Sequence, residues 1–452
     1  MKHNSKLRII LMAGIATFVC VSMVDNSVVV LAEEKTDTGK SAGTPATESD
    51  IESFDKVWET VRDNHWEKDY GGVDWDAARA ELRPKVVEAK TRAEVRAILN
   101  ELIEKLGVSH FGIIPADAYD VMNESDDDTE ATGTGGEAGL EIRLRNGKMI
   151  VSRVEEGSAA EKAGVKTGWM VEQIGKRSHA ELLEAATQAS SHGPMRLDTT
   201  IGILGERGTR GAPGKTLKIK FKDQQGKIQQ PEIKLQKADG SMVKFGHLPK
   251  MRVAFETRDL KQNVTYFSFN LFFDPPKVMT AFRAAVNKAR GTNGLVIDLR
   301  GNHGGIAGMT FGMASMFAEE AGRMGVMKMR KQEMTFPLIP QLEPYTGPVA
   351  VLIDECSISS AEILSGGLKD QKMARLFGST TAGLALPSTV VKLPNGDALQ
   401  YAFATYTSAS GDILEGVGVS PDEEISPGRE ELSKDNDPVL TRAVTWILEQ
   451  KQ

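Results

Sequence analysis

Cysteine is scarce in this sequence: the 452 residues include two, Cys20 and Cys356. Cys20 lies in an apolar segment near the N-terminus, so removal of that segment during export would leave Cys356 alone and exclude an intramolecular disulfide. The mature fold would then be stabilised by its apolar core. A chain of this length with 40% hydrophobic residues can bury such cores in two or three domains.

Several kinds of functional motif are also missing. No His-Glu-x-x-His or Cys-x-x-Cys sequence occurs, so we predict neither a metal site nor a cofactor. Gly208–Thr216 has too many residues between its outer glycines for a phosphate-binding loop, and a strand pattern follows it instead of a helix. The net charge is −7 and the basic residues are dispersed, so nucleic acid is not an expected partner.

The N-terminus has the pattern of an export signal. Three basic residues precede the apolar run Ile9–Val24, and the small residue Ala32 follows at a suitable cleavage position. We therefore predict that residues 1–32 are removed and that the protein is periplasmic or extracellular. The alternative is an uncleaved segment that tethers the protein to a membrane. Residues 33–49 are polar and without periodicity, which predicts a flexible tether.

Hydrophobic periodicity divides the rest of the chain into three folded parts. Apolar residues at three- and four-residue spacing predict a helical subdomain over residues 50–117, with Thr91 as a helix N-cap. An acidic, Gly/Thr-rich linker over residues 123–136 separates it from short strand patterns over residues 137–238. Strands then alternate with helices over residues 250–452, which predicts an α/β core with a mostly parallel sheet.

Two loops at strand ends of the predicted core have residues suited to catalysis. Ser359 lies where an apolar strand gives way to a helix pattern, so its hydroxyl would lie beside free backbone N–H groups. A helix-capping serine is the alternative. The strand Gly294–Leu299 ends in a Gly-rich turn up to Gly305, where a backbone N–H can approach a reacting carbonyl. The alternative is an ordinary tight turn between a strand and a helix.

The two segments together, Leu-Val-Ile-Asp-Leu-Arg-Gly-Asn-His-Gly-Gly and then Ser-Ile-Ser-Ser-Ala-Glu-Ile, resemble the C-terminal-processing (tail-specific) peptidase family, which includes the tricorn protease core. The resemblance implies Ser359 as nucleophile and the N–H groups of Gly305 and Ser360 as the oxyanion hole. Many members use a lysine as the base, but Leu384 occupies that position here and cannot accept a proton. Either the base lies elsewhere or the activity is lost.

The tricorn-like branch offers a different base. Its Ser-His pair is matched by Ser109 and His110, and its late glutamate by Glu415 in Glu-Gly-Val-Gly-Val-Ser-Pro-Asp. The resemblance implies that His110 accepts the proton of Ser359 and that Ser109 and Glu415 complete the site. Activity is then expected to fall as His110 protonates, between about pH 5 and 8. His303 is the competing histidine, predicted to line the cleft without catalysing or to face solvent.

The β-rich part resembles a PDZ domain inserted ahead of the catalytic core. Gly-Ser-Ala-Ala-Glu-Lys-Ala-Gly-Val-Lys-Thr-Gly matches the family pattern, and the resemblance implies that Gly139, Leu140, Glu141 and Ile142 bind a substrate's C-terminal carboxylate by strand addition. A purely structural β-domain is the alternative.

The combined prediction is a serine peptidase that hydrolyses exported proteins or peptides with free C-termini. Its rivals are an esterase using the same acyl chemistry, and an inactive peptide- or ligand-binding protein that retains the peptidase fold. Cys356 is predicted to be a core residue and not an alternative nucleophile.

Overall fold

The computed structural model describes residues 19–21, 47–116, 135–248, 250–434 and 437–450. Most of the predicted signal, tether and acidic linker lies outside these ranges, and the last two residues of the predicted tether belong to the first helix. No helix within them is both long and apolar enough to cross a membrane. The helices of the described chain are Glu48–Asn64, Trp75–Glu88, Arg92–Glu104, Ala159–Lys162, His179–His192, Leu197–Gly208, Pro275–Ala289, Gly308–Ala314, Ser360–Asp370, Arg429–Lys434 and Pro438–Glu449, with a short 3-10 helix at Tyr70–Gly72.

Three of these helices form the N-terminal subdomain. Trp58 and Trp75 are both buried, and each indole N–H donates to the other residue's carbonyl, at 2.9 Å and 3.1 Å. The predicted N-cap is confirmed, because the Thr91 hydroxyl accepts a hydrogen bond from the Glu94 N–H. Arg96 of the third helix pairs with the buried Asp397 of the α/β core, so the helices are joined to the core by charge as well as by packing.

Residues 135–248 fold around an apolar cluster of their own. This part of the chain is called the insert below. Its largest sheet has the strand order Ile228–Gln229, Ile219–Lys222, Met170–Ile174, Lys148–Val154 and Leu140–Arg145. Arg177–Ser178 also pairs with Met170–Ile174. Smaller pairings join Ile233–Lys234 to Thr216–Leu217, Gly136–Glu137 to Gln236–Lys237 and Arg210–Gly211, and Ser241–Val243 to Met251–Val253. The helices His179–His192 and Leu197–Gly208 were not predicted from the sequence.

The α/β core contains one sheet with parallel strands and two antiparallel sheets. The first has the order Phe255–Leu260, Val264–Phe269, Leu295–Asp298, Val349–Ile353, Arg375–Gly378 and Glu423–Glu424, and only its first pairing is antiparallel. One antiparallel sheet has the order Glu333–Leu338, Gly322–Met329 and Ala404–Ser408. The other has the order Gly304–Ile306, Val19–Val21, Ser388–Lys392, Ala398–Ala402 and Gly112–Ile114. The chain is thus a mixed α/β protein, as predicted.

The insert contacts the loop that leads to Ser359. Arg143, which is 4% exposed, pairs with Asp354 at 2.7 Å, and Arg145 pairs with Glu355 at 2.5 Å. A Cβ added to Gly202 of the insert helix Leu197–Gly208 would lie 2.2 Å from the Cys356 sulfur. The helix backbone therefore packs directly on this loop.

Candidate active site

Ser359 occupies a strained turn between a buried strand and a helix. Its φ is +59° and its ψ is −113°, a region that non-glycine residues rarely adopt. The side chain is fully buried, and its Oγ has no hydrogen-bond partner among the described residues. A buried hydroxyl without a partner is unusual and calls for a physical reason, and the role of Ser359 as nucleophile stays a prediction.

The two predicted loops are joined by direct hydrogen bonds. Asp354 Oδ1 accepts from the Gly301 N–H at 2.9 Å and from the Cys356 N–H at 3.0 Å. The Ser357 hydroxyl donates to the Leu299 carbonyl at 2.8 Å. The Gly-rich turn and the nucleophile loop therefore form one rigid unit, and the structure brings together what the sequence predicted as two motifs.

Gly305 lies beside the start of the nucleophile helix. The Ser360 hydroxyl donates to the Gly305 carbonyl at 3.0 Å. At the φ of +142° found for Gly305, an added Cβ would lie 2.5 Å from the Phe272 carbonyl oxygen, so glycine is required here. Ser360 is the first helical residue and its N–H has no acceptor within the helix. Gly305 and Ser360 are thus in contact, and the oxyanion hole formed by their N–H groups stays a prediction.

Ser109, His110 and Glu415 form a connected group, in which Ser109 and His110 are buried and Glu415 is half-buried. The Ser109 Oγ lies 2.6 Å from His110 Nδ1 and 3.0 Å from Glu415 Oε2. The Ser109 N–H also donates to Glu415 Oε1 at 2.9 Å. Three residues that are far apart in sequence therefore meet as the tricorn-like resemblance implied.

The hydrogen bonds of this group determine the tautomer of the histidine. Because the Glu415 carboxylate can only accept, the Ser109 hydroxyl must donate its proton to it. The same hydroxyl oxygen then accepts from His110 Nδ1–H, which leaves the lone pair on Nε2. That Nε2 is buried and has no partner among the described residues, so it is free to accept a proton.

One loop connects the histidine group to the nucleophile. The N–H of Ala385 donates to Glu415 Oε2 at 2.9 Å, and the N–H of Leu384 donates to Glu362 Oε2 at 3.0 Å. Glu362 Oε2 in turn accepts from the Ser359 N–H at 2.9 Å. The consecutive N–H groups of Leu384 and Ala385 therefore bind two carboxylates, that of Glu362 beside Ser359 and that of Glu415 in the histidine group.

Burial changes the proton affinity of the site. It lowers the pKa of His110 to about 3, because the apolar surroundings penalise the charged imidazolium. This direction lowers the pH at which His110 would become protonated, and the expected loss of activity below neutrality stays a prediction. Burial also raises the pKa of Glu415, although bonds from Ser109 and from backbone N–H groups favour its charged form.

Leu384, which occupies the position of the lysine base in many family members, has apolar surroundings. Its side chain is 1% exposed and packs with Ile203, Ile358 and Ala382 in a separate apolar cluster. Ile203 belongs to the insert helix Leu197–Gly208, so Leu384 joins the insert to the nucleophile loop. The position supplies packing and a backbone donor but no base.

The other candidates lie outside this chemistry. His303 Nε2 lies 3.1 Å from Glu206 Oε2 of the insert helix, so it pairs across the interface and does not simply face solvent. Cys356 is buried, and burial raises the pKa of its thiol well above the usual value, although Arg143 opposes this. Within the described ranges, no group of His, Cys, Asp or Glu could hold a metal ion.

The predicted tail-binding residues begin the edge strand of the insert sheet. Gly139 has a φ of +68°, and Leu140 opens the strand Leu140–Arg145. Glu141 pairs with Arg153, and Ile142 is fully buried. A Cβ added to Gly205 of the helix Leu197–Gly208 would lie 2.7 Å from the Ile142 Cβ, so helix and strand are in direct contact. Tail binding at this edge stays a prediction.

Comparison with known proteins identifies the family. Residues 263–425 match the model of peptidase family S41, and residues 50–104 match that of the tricorn protease C1 domain. Residues 263–425 of the chain are therefore a peptidase family S41 domain. The predicted family is therefore confirmed, and the α/β core that carries Ser359 is the part that the S41 model matches.

Curated relatives of this S41 member include probable CtpA-like serine proteases. That of Staphylococcus haemolyticus is 26% identical over 302 residues, which cover 65% of this chain and 54% of the relative. That of Staphylococcus aureus is 24% identical over 292 residues, covering 63% and 51%. The chain thus spans about half the length of the curated relatives that it matches.

Solved structures share the S41 fold. The photosystem II D1 C-terminal processing protease has a TM-score of 0.57 at 20% identity, covering 87% of this chain and 97% of that chain. Mature CPAF complexed with lactacystin has a TM-score of 0.53 at 12% identity, covering 88% and 100%. The fold of the described chain is therefore that of C-terminal processing proteases.

Proposed function

We propose that this S41 member is a serine peptidase that hydrolyses exported proteins with Ser359 as nucleophile and His110 as base. The observation that carries the proposal is the His110 imidazole. Its Nδ1 bonds the Ser109 hydroxyl, which in turn donates to Glu415, and its Nε2 has no partner among the described residues. Such an arrangement supplies the proton acceptor that Leu384 cannot.

The reaction would proceed through an acyl-enzyme. His110 Nε2 takes the hydroxyl proton of Ser359 as the Oγ attacks the scissile carbonyl, and the N–H groups of Gly305 and Ser360 stabilise the resulting oxyanion. The imidazolium returns the proton to the leaving amine as the C–N bond breaks. Water, deprotonated by the same nitrogen, then hydrolyses the ester and restores Ser359. Glu415 stabilises the imidazolium through the Ser109 hydroxyl.

An extended polypeptide is the substrate form that the site favours. The strand Gly304–Ile306 pairs antiparallel with Val19–Val21, with Cys20 opposite Gly305, and Val19 also pairs with Ser388. A segment of this chain thus lies as a strand along the edge that carries the proposed oxyanion residue. A substrate backbone bound in the same way would present its carbonyl groups beside Ser359.

Presentation of C-terminal tails by the insert is a separate part of the proposal. Strand addition at Leu140–Arg145 requires the helix Leu197–Gly208 to move away from the strand, because the two are in contact at Ile142. Fluorescence anisotropy with a labelled peptide tests this part. A peptide with a free carboxylate should bind, and the same peptide with an amidated C-terminus should not. Equal binding of both would refute tail recognition.

Hydrolysis of an unfolded reporter protein at neutral pH tests the peptidase. Ser359→Ala and His110→Ala should abolish cleavage, and Cys356→Ala should retain it. Loss of activity in Cys356→Ala alone would contradict the assignment of the nucleophile. No cleavage by well-folded wild type would favour the rival, a binding protein that retains the peptidase fold.

A further inference from the structure

Glu362 is a buried carboxylate that the reaction above does not use. It lies one turn into the helix that begins after Ser359, and its side chain is 0% exposed. In the sequence it is the glutamate of Ser-Ile-Ser-Ser-Ala-Glu-Ile, three residues after Ser359. A buried carboxylate without a cationic partner is costly, so its retention calls for a physical reason.

Four donors surround this carboxylate. Oε1 accepts from the Thr381 hydroxyl at 2.6 Å and from the Gly383 N–H at 2.7 Å. Oε2 accepts from the Ser359 N–H at 2.9 Å and from the Leu384 N–H at 3.0 Å. All four contacts require acceptors on the glutamate, so the ionised form alone satisfies every one of them.

Two of these bonds act on elements that must be precisely placed. The bond to the Ser359 N–H fixes a residue at φ +59°, which is strained without such support. The bond to the Leu384 N–H fixes the residue before Ala385, and Ala385 donates to Glu415 behind the base. Glu362 is therefore the member that links the nucleophile to the loop holding the histidine group.

We propose that Glu362 is a positioning residue that keeps Ser359 in register with the His110 base. This inference rests on the proposed peptidase function and deepens it. Protonation of Glu362 would put a hydrogen on a carboxylate oxygen that now accepts two hydrogen bonds. At least one of the four hydrogen bonds would then be lost, and the loop that contains Gly383 and Leu384 would be held less firmly. Ionised Glu362 should therefore be required for full turnover.

This role gives activity an acid limit of its own, in addition to any that protonation of His110 imposes. Burial raises the pKa of the Glu362 carboxyl to about 7, although Thr381 and three backbone N–H groups favour its charged form. The other titratable groups of the site are His110 and Glu415, and Thr381 donates to neither. A change at Thr381 therefore tests Glu362 separately from the base.

The experiment is to measure kcat and KM of the full chain between about pH 5 and 9. In wild type, kcat should fall as the pH drops below about 7. Glu362→Gln has one acceptor oxygen and places an NH2 group against donors, so kcat should fall about 100-fold with little change in KM, and the acid limb should disappear. Ser365→Ala, which removes a buried hydroxyl from the same helix, should retain the wild-type profile.

Thr381→Val keeps the inference testable if Glu362→Gln does not fold. Valine removes the hydroxyl that donates to Glu362 and that accepts from the Val419 N–H at 2.7 Å. Loss of the donor to the charged carboxylate should raise the pKa of Glu362 and move the acid limb about one to two pH units higher. An unmoved limb in Thr381→Val, or wild-type kcat and pH dependence in Glu362→Gln, would overturn the inference and leave the peptidase intact. Failure of wild type to cleave, and of Ser359 to react with a fluorophosphonate, would overturn both proposals.

Discussion

Ser109→Ala is the substitution that most clearly separates a working histidine from a buried structural one. The Ser109 hydroxyl connects His110 Nδ1, at 2.6 Å, to Glu415 Oε2, at 3.0 Å. Alanine would leave the ring N–H without this acceptor and would free the imidazole to rotate or change tautomer. A hydrogen bond to a charged partner contributes about 1.5 to 3 kcal/mol. If that stabilisation acts on the imidazolium formed in the transition state, kcat should fall about 10- to 150-fold.

Steady-state hydrolysis of a fluorogenic peptide at pH 8 gives the two kinetic constants, and thermal unfolding gives the stability. Ser53→Ala is a matched control, because Ser53 is also buried, donates to the Ser49 carbonyl at 2.6 Å and accepts from the Asn395 N–H at 3.0 Å. Both variants should lose similar stability, and only Ser109→Ala should lose kcat. An unchanged kcat in Ser109→Ala would refute the role assigned to the histidine group.

Substitutions at Leu384 and Gly305 and a labelling experiment on Cys356 test separate parts of the account. Leu384→Lys should not restore a lysine base. Because it buries an unpaired ammonium, it should lower the free energy of unfolding, measured in urea, by about 3 kcal/mol or more. The control Leu384→Met should lower it by less than about 1.5 kcal/mol. Gly305→Ala should abolish peptide hydrolysis, since its Cβ would lie 2.5 Å from the Phe272 carbonyl oxygen; activity near wild type would exclude a close backbone approach. Cys356 should resist iodoacetamide in the native state and react after unfolding, because burial raises the pKa of its thiol, and rapid native labelling would contradict its burial.

Local patterns predicted much of the fold because they depend on neighbouring residues. The apolar strand before Ser359, the helix after it and the Thr91 cap all follow from spacing and capping chemistry within a few residues. The antiparallel pairing of Gly112–Ile114 with Ala398–Ala402 could not be predicted in this way, because the partners are far apart in the chain. The insert helix Leu197–Gly208 was also missed, since its role is to pack on the nucleophile loop.

The sequence also predicted only part of the site. Family resemblance supplied Ser109, His110 and Glu415, and the structure shows them in contact. Glu362 stood in the motif that located Ser359, and its donors include Leu384, the residue that marked a departure from the family. The signal for its role was a single charged residue among the small and apolar residues from Ser360 to Leu368, which could have been interpreted as a buried, partnered carboxylate. The pKa of His110 required burial, which sequence alone does not give.

Mass-spectrometric mapping of a covalent adduct tests the central claim most directly. The full chain would be treated with a fluorophosphonate at pH 8, digested and searched for the modified residue, alongside His110→Ala and the Ser53→Ala control. The account predicts modification of Ser359 in wild type and control, and a rate lower by at least about 100-fold in His110→Ala. Modification of another residue, or an equal rate at Ser359 in His110→Ala, would contradict it.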